Sequence, residues 1–201
     1  MMKMIIVFLG VMALASCGEN ANKDHAHNSP PATMPAPQPK KEVQTLRATF
    51  AQVDPPIRQH IQALVGQYLR IKDALVAAQP TGVPAIAEKM LKELRGLDKS
   101  YLSFPQKEAY DKSAADLRKQ LEKLTTTTDL AAQRVILEPL SLAVFQLAKD
   151  FGYQTNLYRE YCPMAFDNRG AAWLSDSDSI RNPYFGDEML KCGTVTDILN
   201  R

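Results

Sequence analysis

The chain has 201 residues, with 24 lysines and arginines against 22 aspartates and glutamates, for a formal net charge of +2. A balance so near neutral excludes nucleic acid or a strongly acidic surface as an expected partner. Once an amino-terminal leader and tether are set aside, about 150 residues remain, enough for one domain with one core.

The chain opens MMKMIIVFLGVMALASCGEN, with Lys3 as a short positive region and an apolar run from Met4 to Ala15. That run is too short to stay in a bilayer as a spanning helix and reads as a secretory leader. Its end, Leu14-Ala15-Ser16-Cys17-Gly18, resembles a bacterial lipobox, in which cleavage leaves an acylated cysteine as the first residue. The other reading is an ordinary signal peptide that happens to hold a cysteine. The expectation is a lipoprotein signal peptide over 1–16 and lipidation at Cys17. Several acyl chains anchor a protein stably, at about 0.8 kcal/mol per buried methylene. Gly18 in place of an acidic residue points to the outer membrane, with the chain facing the periplasm or the cell surface.

Residues 17–53 read as the lipidated cysteine and a disordered tether, because Pro30, Pro31, Pro35, Pro37 and Pro39 crowd one stretch with little apolar surface to repay ordering. Its reach lies between roughly 30 Å as a flexible coil and 110 Å as extended polyproline. Within it His25 and His27 form a weak candidate pair for Cu(II) or Zn(II), against the plainer reading of a polar linker. No second apolar run long enough to cross a membrane is expected, and no repeat of fixed period is visible.

Residues 54–201 are expected as a helical-bundle domain. Asp54-Pro55-Pro56 is a helix start, with Asp54 as cap and proline in the first turn. Ile57, Ile61, Leu64, Val65, Tyr68, Leu69, Leu75 and Val76 then recur at three and four residue spacings to about Ala78. His60, beside that stripe, reads as a half-buried structural residue. A second helix, about Val83 to Leu97, carries Ile86, Met90, Leu91 and Leu94. Ser103 and Gln106 form a capping box for a third, with Tyr110, Ala114, Leu117, Leu121 and Leu124 at heptad spacing before the Thr125–Thr128 stop. The fourth, about Asp129 to Phe151, contains Pro139, which is expected to kink or split it, and Gly152 closes it. Short connections favour an up-down four-helix bundle.

From Leu157 the helical period stops and turn signals recur, yet Tyr158, Tyr161, Phe166, Trp173, Tyr184 and Phe185 require packing. The expectation is an irregular C-terminal arm packed across an all-α bundle. The stretch LYREYCPMAFDNRGAAWLSDSDSIRNPYFGDEMLKCG, with YLRIKDALV and QRVILEPLS upstream, resembles the bacterial family known as domain of unknown function 3347, over roughly Ile57 to the C-terminus. Members are exported, as free lipoproteins or appended to adaptor subunits of heavy-metal efflux systems. The resemblance implies an association with copper or a similar ion, with no established activity. Pro139 and the loop Gln79 to Pro84 depart from the family's usual pattern.

Two readings of the arm's cysteines are open. Cys162, Met164, Met189 and Cys192 offer two thiolates and two thioethers, a soft set suited to Cu(I). Alternatively, an exported chain with one remaining cysteine pair makes a disulfide, closing a loop of about 30 residues for roughly 3–4 kcal/mol. Met164 and Met189 also have a reading as packing under Trp173 or Phe185. Catalysis is not expected, since no motif ties His60 to Cys162 or to a serine, and the cysteines are not in a Cys-X-X-Cys pair. The expected function is therefore a membrane-tethered Cu(I)-binding protein supporting metal efflux, with an efflux adaptor or pump as partner. The alternative is a non-metal envelope interaction module stapled by Cys162–Cys192.

Overall fold

A computed structural model describes residues 42–200. The lipidation site Cys17 and the pair His25 and His27 lie outside the described residues. Four helices follow one another: α1 (Pro55–Val76), α2 (Val83–Arg95), α3 (Phe104–Leu124) and α4 (Leu130–Phe151). Their starts follow the local signals. Asp129 Oδ1 accepts from the Ala132 amide at 2.7 Å, and Gln106 Oε1 reaches back to the Ser103 amide at 3.0 Å. At the end of α3, Thr125 and Thr126 turn their hydroxyls onto the carbonyls of Glu122 and Lys123, at 2.8 and 2.9 Å. Each helix packs on the next and α4 closes on α1. Ile57, Ile61, Leu64, Leu75, Met90, Leu117, Leu121 and Leu140 all lie in the core without exposure.

The all-α expectation is overturned by a mixed four-stranded sheet, so the fold is a helical bundle with a sheet. Its strands are β1 (Gln44–Leu46), β2 (Leu157–Cys162), β3 (Ala171–Ser175) and β4 (Thr194–Leu199), in the order β1-β4-β2-β3. The supposedly irregular arm supplies three of them. The strands are only five or six residues long and are separated by turn-rich loops, so they leave little periodic signal. The fourth comes from the stretch read as tether. β1 lies parallel to β4, and the amides of Thr49 and Phe50 bond the end-of-helix carbonyls of Lys149 and Asp150, each at 2.9 Å. Leu46, Phe50 and Val53 add apolar contacts, which is enough to order residues that follow the proline run.

The free edge of β3 is closed by two tyrosines. Leu174 donates its amide to Tyr68 Oη at 2.9 Å, and Tyr184 Oη donates to the Ala172 carbonyl at 2.6 Å. Ser141 already donates to the Leu137 carbonyl, so Tyr68 donates to Ser141 Oγ at 2.7 Å while accepting from Leu174. Burial holds the Tyr68 phenol well above its ordinary range, so these hydroxyls stay protonated. An edge occupied in this way cannot accept a further strand.

Pro139 does not split α4, which runs unbroken through it. The missing proline amide leaves the Val135 carbonyl without its helical donor, at a residue that is 54% exposed and so open to water. Contrary to expectation, α4 is long and apolar enough by length and composition to cross a membrane, a property that the core helix of a bundle shares.

Gly193 sits at φ +149°, and a Cβ there would lie 2.8 Å from the Trp173 ring and 3.2 Å from the Tyr161 carbonyl. Replacing Gly193 by alanine is expected to lower unfolding free energy by about 1–3 kcal/mol, measured in urea, because rigid neighbours on both sides must shift.

Candidate functional site

The antiparallel pairing of β2 with β4 sets Tyr161 opposite Thr194, and this register brings the end of β2 beside the turn that enters β4. Cys162 and Cys192 meet there in a disulfide, with Cα atoms 5.7 Å apart across a separation of 30 residues. Cys162 is fully buried. The loop carrying Cys192 is organised by the buried Asn182: its Nδ2 donates to the Cys192 carbonyl at 2.8 Å, its amide donates to the Leu190 carbonyl, and its Oδ1 accepts from the Tyr184 amide. Arg134 Nε on α4 donates to the Pro183 carbonyl at 2.9 Å, so the Asn-Pro-Tyr element ties the loop to the bundle.

Both sulfurs of the cysteine pair are spent on each other, so the four sulfurs do not converge as free ligands in this state. Met164, 48% exposed, and the half-buried Met189 instead line one cavity of about 540 Å³ with Phe166, Tyr184 and Phe185. Among the described residues, no three His, Cys, Asp or Glu side chains come together in a metal-holding group. The cavity wall is shaped by a left-handed turn with φ of 51°, 57° and 66° at Phe166, Asp167 and Asn168. Asp and Asn tolerate that region, whereas Phe166 holds it at a cost of roughly 1–2 kcal/mol. Its ring is fixed in return, edge-on to Tyr184 at 5.2 Å and under the Arg169 guanidinium at 5.1 Å.

A second concavity, about 590 Å³, lies between α4 and the β2–β3 hairpin. Its floor is apolar, from Pro139, Leu142, Ala172 and Leu174, and its rim carries Arg159, Arg169 and Glu138. Arg169 grips Glu138 through two bonds of 3.1 and 2.8 Å. Arg159 stacks over Phe145 at 5.0 Å and pairs with Asp197 at 3.2 Å. Exposed residues recur along α4 at Ala131, Val135, Pro139, Leu142 and Gln146, a single stripe at helical spacing. A third concavity, between α3 and α4, shares Pro139 and Leu142 with the second.

Glu160 was not legible as a functional candidate. Its carboxyl is fully buried with neither oxygen hydrogen-bonded, and the indole N–H of its cross-strand neighbour Trp173 is also without a partner. Loss of water pushes the Glu160 carboxyl up to about 8, opposed chiefly by the nearby Lys72 ammonium. The missed signal is its place two residues before Cys162, on the same buried face of β2; the register shift opposite Arg159 and Glu160 puts its extra residue, Thr196, on β4. His60 takes the structural place expected of it, buried and 2.8 Å from Tyr110 Oη, with burial lowering its proton affinity.

Residues 64–156 match the family described as Protein of unknown function (DUF3347), the family that the sequence resembles. The matched stretch runs from within α1 through α4 and ends before β2, so the disulfide, the cavity of Met164 and Met189, and Glu160 lie beyond it. No curated protein and no solved structure matches the chain.

Proposed function

We propose that this chain is a lipid-anchored, non-catalytic interaction module of the cell envelope, tethered through Cys17, with the grooved outer face of α4 as its working surface. The observation that carries this reading is the Cys162–Cys192 disulfide, which spends both thiols on tying the end of β2 to the turn before β4. Such a bond is stable only in an oxidising compartment, in keeping with export. The rigid scaffold it secures presents an apolar helix face beside a rimmed groove, as a docking module requires.

A second reading has one specific support. Met164 and Met189 line one cavity, and each stands within three residues of a cysteine that reduction would free. In that reading the reduced protein carries Cu(I) for an efflux adaptor or pump at the outer membrane.

Anaerobic loading with Cu(I), followed by native mass spectrometry, separates the two. The oxidised chain is expected to show no reactive thiol from Cys162 or Cys192 and to retain no copper, before or after reduction. One equivalent of Cu(I) held by the reduced chain, and lost on replacing Met164 and Met189 by leucine, would establish the metal reading instead.

A further inference from the structure

We infer that His60, Glu93 and Tyr110 form a proton-operated clasp on the helical bundle: a proton taken up at His60 Nδ1 draws the Glu93 carboxylate in from solvent and ties α1 to the last turn of α2.

The hydrogen-bond chain fixes where the ring's first proton sits. Leu94 lies in the last turn of α2, where carbonyls have no helical donor, and Tyr110 on α3 donates its hydroxyl proton to the Leu94 carbonyl at 3.2 Å. A phenol has one proton to give, so Tyr110 Oη accepts from His60 Nε2 at 2.8 Å. The neutral ring therefore carries its proton on Nε2 and turns the bare lone pair of Nδ1 toward Glu93 Oε1, 3.8 Å away. Two acceptors face each other there, until a second proton on Nδ1 turns them into a charged donor and its carboxylate. One partner is free to close the gap. His60 is 7% exposed and held by Tyr110, whereas the Glu93 side chain is 42% exposed.

The groups around the ring set the direction of the response. Facing it, α2 presents Glu93 and the negative end of its dipole, α3 presents the Tyr110 phenol, and the α2–α3 loop presents Lys99, which lies 5.9 Å from the centre of the Tyr110 ring and is paired with Asp111 at 2.6 Å. α4 reaches the cluster through the Phe151 ring, edge-on to Tyr110 at 6.3 Å, and the neighbours of His60 one turn away on α1, Pro56, Ile57, Ala63 and Leu64, are uncharged. Burial is the larger influence and lowers the ring's affinity for the second proton, while Glu93 raises it. The clasp therefore closes on the acid side of pH 6.5, and Glu93 limits the stability that acid takes from the fold through His60.

The test is nitrogen-15 NMR of the imidazole in the full chain, with His25→Gln and His27→Gln so that His60 gives the one histidine signal. Near pH 8 the ring is expected in the Nε2–H form with Nδ1 unprotonated; the opposite form, or an even mixture, overturns the inference. On acidification the backbone amides of Glu93 to Gly96 are expected to shift with the same midpoint as the ring. Glu93→Gln puts a neutral side chain of the same size at a partly exposed position, and is expected to lower the His60 midpoint by about half a pH unit or more and to abolish the matching shift of the α2 amides. A purely structural histidine would titrate at the same pH in both proteins. An unchanged midpoint, or α2 amides that do not follow the ring in the parent chain, overturns the clasp.

Discussion

Replacing Cys162 and Cys192 together by alanine is expected to lower the unfolding free energy of the oxidised chain by roughly 3–4 kcal/mol. The closed loop of 30 residues is the reason: without the bond, the denatured chain regains the freedom to separate its ends. The loss falls unevenly across the molecule. The β2–β4 turn and the Asn182 loop depend on the bond, whereas the helices keep a core that reaches from Ile57 to Phe151. Denaturant titration of the oxidised wild type, the reduced wild type and the double variant checks this, with the last two expected to coincide. A difference below about 1 kcal/mol between oxidised wild type and variant would show that the bond merely decorates a loop already fixed by Asn182.

The second large effect is a pH dependence centred on Glu160. Its carboxyl loses its proton near 4.5 when unfolded and near 8 when folded, the shift being an upward one caused mainly by burial. Below pH 4.5 both states hold the proton and the group contributes no penalty. Between 4.5 and 8 only the unfolded chain has released it, so folding must take up a proton and stability falls by about 1.4 kcal/mol per pH unit at most. Above 8 the penalty levels off, with the ionised carboxylate facing Lys72 from α1 and repelled by Asp176 and Asp178 from the loop after β3. Glu160→Gln is expected to match wild type near pH 4 and to exceed it by on the order of 4 kcal/mol at pH 8. His60 works in the opposite direction below pH 6.5, because its lowered proton affinity favours the neutral ring in the folded state. It is common to both proteins and cancels in their difference. A variant with the same pH profile as wild type would mean that Glu160 is hydrated or firmly paired.

The helices were legible because their signals are local. Pro55, the Ser103–Gln106 box, Asp129 and the threonine stop each act within one turn, and the leucines at three and four residue steps recur often enough to be counted. The sheet was not, because its pairings are remote: Gln44 meets Asp197, and the residues between give no sign of it. The aromatic residues of the arm showed that it must pack, but with strands this short the same composition serves an irregular cap equally well. The meeting of Cys162 with Cys192 was foreseeable as one of two outcomes, since a lone cysteine pair in a chain read as exported has few fates. The burial of Glu160 was hidden because a carboxylate between Arg159 and Tyr161 looks like the wet side of a strand until its pairing with Trp173 is seen. The α4 stripe carried no sign of its exposure, since Val135 and Leu142 are as apolar as the buried Leu137 and Leu140.

The placement of β1 at the sheet's edge has a mechanical consequence. Tension applied through the residues before Glu42, as the proposed anchor at Cys17 would apply it, is borne first by the short β1–β4 ladder and the two amides of Thr49 and Phe50. These few bonds act as a fuse, yielding some ten residues of slack before the load reaches Val53 and the bundle. The covalent link between residues 162 and 192 stays outside the loaded path, so the domain can be tugged and re-seat its edge strand without coming apart.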